Sequence, residues 1–146
     1  MKLDFEILES QSGNGKNIGS VALCCIIVQN ILYVINLGDS RAVMIDQNGA
    51  AQSLSNEHVP NRPDEKERIE KLGGVVLIVH VQERILGELA VSRSFGDKFY
   101  KPFVSGMPEI FTYNLDKDAH KYLILASDGL WNVRIFFETS RLIKFQ

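Results

Sequence analysis

Val21-Ala22-Leu23-Cys24-Cys25-Ile26-Ile27-Val28, then Gln29-Asn30, then Ile31-Leu32-Tyr33-Val34-Ile35-Asn36-Leu37, is a pair of β-rich runs separated by a two-residue turn. Val21 to Val28 is apolar at nearly every position, so neither face of this strand is expected to meet water, and it belongs inside a layered structure. The short break predicts an antiparallel hairpin. Gly38-Asp39-Ser40-Arg41 interrupts the second run, Ala42 to Ile45 resumes it, and Asn48-Gly49 is a hairpin turn signal. Downstream, Val75 to Val81, Ile110 to Tyr113 and Tyr122 to Ala126 read as further strands, with Asn114 to His120 as a polar turn and Asp128-Gly129 as a tight loop.

Helices flank this pattern. From Met1 to about Ser12 the apolar residues Leu3, Ile7 and Leu8 fall at helical spacing, and Gly13-Asn14-Gly15 closes the segment, which reads as the tail of a longer helix. Pro63 opens a second helix, with Asp64, Glu65 and Glu67 in its first turn to complement the helix dipole. Ile69 and Leu72 form its apolar face, Lys71 supplies a C-terminal cation, and Gly73-Gly74 stops it. The expected fold class is α+β, an antiparallel β-sandwich flanked by helices.

A chain of 146 residues, 45% of them apolar, is long enough for one domain with a real core. Its net charge of −2, with acids and bases mixed along the chain, offers no basic stripe for nucleic acid and no polybasic patch for an anionic membrane. The N-terminal residues contain acids where a secretory signal needs an apolar run, and no stretch is long enough to span a bilayer. The expected location is intracellular, cytoplasmic or nuclear. Cys24 and Cys25 are adjacent on a strand and so point to opposite faces, which predicts reduced, buried thiols without a mutual disulfide or a zinc site.

Asp39 and Asp128 each follow a buried strand, where a carboxylate is costly to hold unless its charge is compensated. A divalent cation compensates such charge, and Mg²⁺ or Mn²⁺ can be held by scattered oxygen ligands without His or Cys. Taken alone, an Asp beside Gly reads as a turn-former before it reads as a ligand.

Five ordered segments change that balance. They are Gly19-Ser20-Val21-Ala22 with Leu32 to Val43, which carries Gly38-Asp39-Ser40-Arg41; Glu57-His58-Val59-Pro60 with Pro63 to Gly74; Arg84 to Asp97; Pro108-Glu109-Ile110; and Leu123 to Trp131. Together they resemble the PPM-type (type-2C) metal-dependent protein serine/threonine phosphatases over Gly19 to Val133. The resemblance implies residues 1–133 as a partial phosphatase domain lacking its N- and C-terminal parts, and residues 134–146 as a divergent tail. It implies a two-metal Mn²⁺ or Mg²⁺ centre whose bridging water attacks phosphoserine or phosphothreonine in phosphoprotein substrates. Asp128 matches the acid that bridges both metals, and Asp39 matches a ligand of a weaker third metal. Asn132 stands where that third site has an Asp; with one carbonyl oxygen and no charge, it implies a weakened site. The family's general-acid His, phosphate-binding Arg and further metal ligands have no counterpart in this chain, so little or no activity is expected of it alone. The alternative is a pseudophosphatase that acts as a protein-binding module.

Other residues carry plainer readings. His58 is expected in a surface or capping role. Arg84, and less so Arg93, are candidates to meet substrate phosphate, against the alternative that such arginines tie loops to carboxylates. Trp131 and Phe99-Tyr100 read as packing residues, and Lys66-Glu70 as a solvated helix face.

Overall fold

A computed structural model describes residues 2–11, 17–116 and 118–131. In chain order the elements are α1 (Lys2–Ser10), β1 (Gly19–Ser20), β2 (Ala22–Val28), β3 (Ile31–Leu37), β4 (Arg41–Asp46), β5 (Ala51–Ser53) and α2 (Pro63–Lys71). They continue with β6 (Val76–Val79), β7 (Gln82–Ile85), β8 (Phe95–Gly96), a 3₁₀ turn (Lys98–Tyr100), β9 (Glu109–Asn114), β10 (His120–Ala126) and α3 (Asp128–Trp131). These form two compact units interleaved in sequence: Met1–Ala22, Leu37–Asp39 and His58–Pro108 make one, and Leu23–Asn36, Ser40–Glu57 and Glu109–Gln146 the other.

The second unit is a sandwich of two three-stranded sheets, ordered β2-β3-β9 and β10-β4-β5. Strand alternation builds its core: Leu32 and Val34 point inward from β3, Ala42 and Met44 from β4, and all are buried beside Leu54. The register Leu32↔Tyr113 and Val34↔Phe111 brings the inward residues of β9 onto the same layer, and Leu23, Cys25 and Leu123 complete it. Each fully buried aliphatic side chain here contributes roughly 1.5–3 kcal/mol. The Asn48-Gly49 turn forms as predicted: Gly49 has φ +82, Gly49 N–H donates to the Asp46 carbonyl, and Ala50 N–H to Asp46 Oδ1 at 2.8 Å.

The first unit has a smaller core of Ile69, Ile85 and Val104, with Val76, Leu89, Tyr100 and Phe103 packed against it. α2 begins at Pro63, and its Lys66–Glu70 pair is exposed and loose at 3.9 Å, the solvated face expected. α1 is held by polar contacts more than by its apolar residues. Asp4 Oδ1 accepts the Gly96 N–H at 2.7 Å, and Gln11 Nε2 donates to the Ile18 carbonyl at 2.5 Å, while Leu3 and Phe5 are exposed.

Several expectations are corrected. Both faces of β2 were expected to be covered, yet Ile26 is 46% and Val28 53% exposed, because β2 is an edge strand whose outer face meets no described residue layer. Cys24 is exposed on that face and Cys25 is half-buried on the other; both are free thiols, so the expected burial fails for Cys24. Leu72 does not share the buried face of Ile69: it is the C-cap of α2 and is exposed. Glu65 lies in the first turn of α2 as expected, and the fold buries it there. Asp128 opens a short helical turn instead of a loop. The run Val75 to Val81 divides at His80-Val81, a two-residue turn with φ +49 and +66 that joins β6 to β7. Nothing in His-Val signals such a turn, since left-handed backbone there favours Asn or Gly.

Candidate functional site

Asp128 stands where β10 ends. Its neighbour strand β4 begins at Arg41, which is paired with Ala126 in the antiparallel register. The turn carrying Asp128 is closed by Leu130 N–H donating to the Ser127 carbonyl at 3.1 Å, and by the Trp131 indole N–H donating back to the Ala126 carbonyl at 2.8 Å. The Arg41 guanidinium lies 5.7 Å from the centroid of the Trp131 ring, and the same group donates from Nε and Nη2 to Glu57 Oε1 at 3.1 and 2.5 Å. Trp131 is thus a packing residue of the Asp128 turn, as expected. The Asp128 carboxylate is exposed and has no recorded partner among the described residues.

Asp39 is half-buried and precedes Arg41 by two residues in the chain. The backbone that presents it is held at Gly38, whose φ of +115 and whose spacing from Val21 exclude a side chain: a Cβ would lie 2.2 Å from Val21 Cγ1. His58 fastens this glycine. His58 Nδ1 accepts the Gly38 N–H at 3.0 Å, and the His58 N–H donates to the Gly38 carbonyl at 2.9 Å. The same ring nitrogen lies 3.1 Å from the Gly38 carbonyl oxygen, so the imidazole is seated against both backbone groups of Gly38. His58 is therefore fully buried and caps backbone; the capping half of the expectation is right and the surface half is corrected.

The arginines divide. Arg84 donates from Nη1 to the Glu88 carbonyl at 2.5 Å and from Nη2 to Gln82 Oε1 at 2.9 Å, closing its own hairpin end. Arg93 ties a loop to a carboxylate: Nε and Nη2 donate to Glu65 Oε1 at 3.0 and 2.5 Å, and Nη1 to the Met107 carbonyl. Arg68 reaches the other oxygen of Glu65 at 2.8 Å and the carbonyls of Ser92 and Phe103. Burial pushes the Glu65 carboxyl up, but the hydrogen bonds from Arg93 and Arg68 outweigh it and hold the group at about 2. Tyr100 packs against the smaller core and its hydroxyl donates to Glu88, whereas Phe99 is exposed, against the packing expected of it.

Asn132 and the tail 134–146 lie outside the described residues. Among the described residues no three His, Cys, Asp or Glu side chains come together as a metal-holding group. Asp128 is a single oxygen donor of the right type, and the described residues do not complete a metal site around it. No helix among them is long and apolar enough to cross a membrane.

The family profile described as "Protein phosphatase 2C" matches residues 3–135. The chain belongs to the protein phosphatase 2C family. It is 46% identical over 145 residues to the probable protein phosphatase 2C 52 of Oryza sativa subsp. japonica, a match that covers 99% of this chain and 29% of that protein. It is also 46% identical over 130 residues to the probable protein phosphatase 2C 69 of Arabidopsis thaliana, covering 89% of this chain and 36% of the relative. Among solved structures, a C. elegans sex determining protein superposes with a TM-score of 0.88 at 26% identity, over 97% of this chain and 35% of that one. The serine-threonine phosphatase 2C from Toxoplasma gondii gives 0.79 at 28% identity, over 90% of this chain and 48% of that one. The chain thus spans about a third of the length of the curated 2C phosphatases it matches. Its antiparallel sandwich with helices is the α+β fold of part of a 2C phosphatase domain.

The contacts missed at the sequence level were those of Arg41 with Glu57 and Trp131, and of Arg68 and Arg93 with Glu65. The Arg41 and Arg93 contacts join segments far apart in the chain, with no local spacing to signal them, whereas Arg68–Glu65 is an i,i+3 pair within α2 that helical spacing could have signalled.

Proposed function

We propose that this chain forms part of a Mn²⁺- or Mg²⁺-dependent phosphatase acting on phosphoserine and phosphothreonine in proteins, with Asp128 as its ligand to the metal centre. The observation that carries this is Asp128 itself: an exposed carboxylate with no recorded partner among the described residues, on a tightly closed turn at the end of a core strand. It stands where the family resemblance puts the acid shared by both metals. A bound metal would supply an activated water and charge stabilisation for in-line attack at phosphorus. Asp39 is proposed as a ligand of a weaker site, further weakened by Asn132. Arg84 is proposed, ahead of Arg93, as the contact to substrate phosphate; in this structure its terminal nitrogens close a hairpin end. On its own the chain, with one such ligand in place, is proposed to have little activity.

The test is p-nitrophenyl phosphate hydrolysis with added Mn²⁺, by the 146-residue chain and by a polypeptide extended to the length of the relatives. The extended protein should turn over substrate and lose that activity with Asp128→Ala; metal binding without turnover, and no effect of Asp128→Ala, would refute the reading. The neutral Asn132 favours a second reading, a protein-binding pseudophosphatase, and the same assay separates the two.

A further inference from the structure

We propose that Arg41 is a positioning residue for the Asp128 turn, and that Glu57 sets where Arg41 sits, so that a carboxylate in the segment before α2 controls the presentation of Asp128. The functional weight of this rests on the reading of Asp128 given above; the mechanical coupling does not.

Three observations carry it. Arg41 opens β4 opposite Ala126, the last residue of β10, so its side chain leaves the sheet beside the start of the Asp128 turn. Its guanidinium is used on two sides. Nε and Nη2 converge on one oxygen of Glu57, and the group is also positioned over the Trp131 ring at 5.7 Å. Trp131 in turn donates its indole N–H to the Ala126 carbonyl, so the ring ties the end of the turn back to the strand from which the turn departs. Asp128 lies between those two attachment points.

A planar guanidinium can offer a hydrogen-bonding edge and a stacking face at once, which a lysine ammonium cannot. The Arg41 and Glu57 side chains are 23% and 29% exposed, so water competes only in part for their contact. Removing Glu57's charge takes away two of the hydrogen bonds that hold the Arg41 guanidinium, so its placement over the ring weakens and the turn that carries Asp128 loosens while the core strands stay paired.

Trp131 is the only tryptophan of the chain, so the tryptophan fluorescence reports the surroundings of this one ring. The experiment measures acrylamide quenching of Trp131, and amide hydrogen exchange at Leu130, in the wild-type chain and in R41M, R41K, E57Q and D128A. R41M and E57Q should raise the quenching constant about twofold and speed Leu130 exchange about tenfold, with R41K close to R41M. Exchange in β3 and β9 should not change, and D128A should leave quenching unchanged. Wild-type quenching in E57Q would overturn the role of Glu57, and wild-type behaviour of R41K would overturn the stacking argument. If R41M loses its far-UV circular dichroism, E57Q and R41K decide the outcome. Neither readout involves metal or phosphate, so a failure of the phosphatase reading and a failure of this coupling are told apart.

Discussion

Arg93 Nη2 lies 2.5 Å from Glu65 Oε1, and the Glu65 side chain is 1% exposed. Arg68 holds the second oxygen of the same carboxylate at 2.8 Å, and Arg62 stands 3.5 Å from the first. One buried negative charge therefore fastens α2 to the segment from Ser92 to Arg93 and, through Arg93 and the Met107 carbonyl, to the chain leaving the unit. Removing one member of a buried charge cluster leaves the others uncompensated. Glu65→Gln is expected to destabilise the fold by about 3–5 kcal/mol, measured by urea unfolding, with Glu65→Asp losing part of that because its shorter side chain cannot span both arginines.

The same carboxylate gives an acid limit. Its folded value of about 2 lies below the ordinary 4.5, so the stability it contributes is complete above about 4.5 and is lost as pH falls through about 2. A shift of that size corresponds to stability on the order of 3 kcal/mol. Urea midpoints measured from pH 6 down to pH 2 should fall for the wild type; in Glu65→Gln the part of that fall due to Glu65 should be missing.

Gly38→Ala should be among the most damaging single-methyl changes in the chain. It places a side chain at φ +115 and within 2.2 Å of Val21 Cγ1, combining backbone strain with overpacking. The expected cost is about 2–5 kcal/mol, read as a lower thermal midpoint or loss of soluble protein.

Asp128→Ala should behave in the opposite way. The carboxylate is exposed and has no recorded partner among the described residues, so unfolding of the 146-residue chain should change by no more than about 0.5 kcal/mol. Mn²⁺-dependent hydrolysis by the length-restored protein should fall at least about 100-fold, because the metal supplies several kcal/mol of charge stabilisation. Loss of activity with stability intact is the pattern of a ligand, and loss of both is that of a structural residue.

The outer face of the β2-β3-β9 sheet carries Ile26, Val28 and Ile110, the last 63% exposed. Apolar side chains on an edge strand invite association. Ile26→Lys with Ile110→Thr should lower the sedimentation-average mass of the 146-residue chain at a given concentration without lowering its unfolding midpoint.

Much of this protein is legible in its sequence, for reasons that are local. Two-residue turns, alternation and unbroken apolar runs placed β2, β3, β4, β9 and β10 to within two residues, because a strand's pattern is written in consecutive side chains. Pro63 and Gly73-Gly74 bounded α2 for the same reason, and the ordered motifs carried the family. Where the sequence reading failed, the deciding partner was distant or the turn lacked its usual residues. His80-Val81 turns with no glycine or asparagine. Glu65 looked like a helix-dipole acid until the fold brought Arg93, 28 residues away, against it.

The sequence by itself determined the fold class and the family, since these are properties of residue type and order, and it is the source of the proposal for Asp39, Asp128 and Asn132. Only the tertiary structure decided what holds the site's frame. It buried His58 against Gly38, brought Arg93 onto Glu65, and put Arg41 between Glu57 and Trp131. Such contacts arise when strand pairing brings remote segments within hydrogen-bonding reach, and that juxtaposition is encoded in no local stretch of the chain.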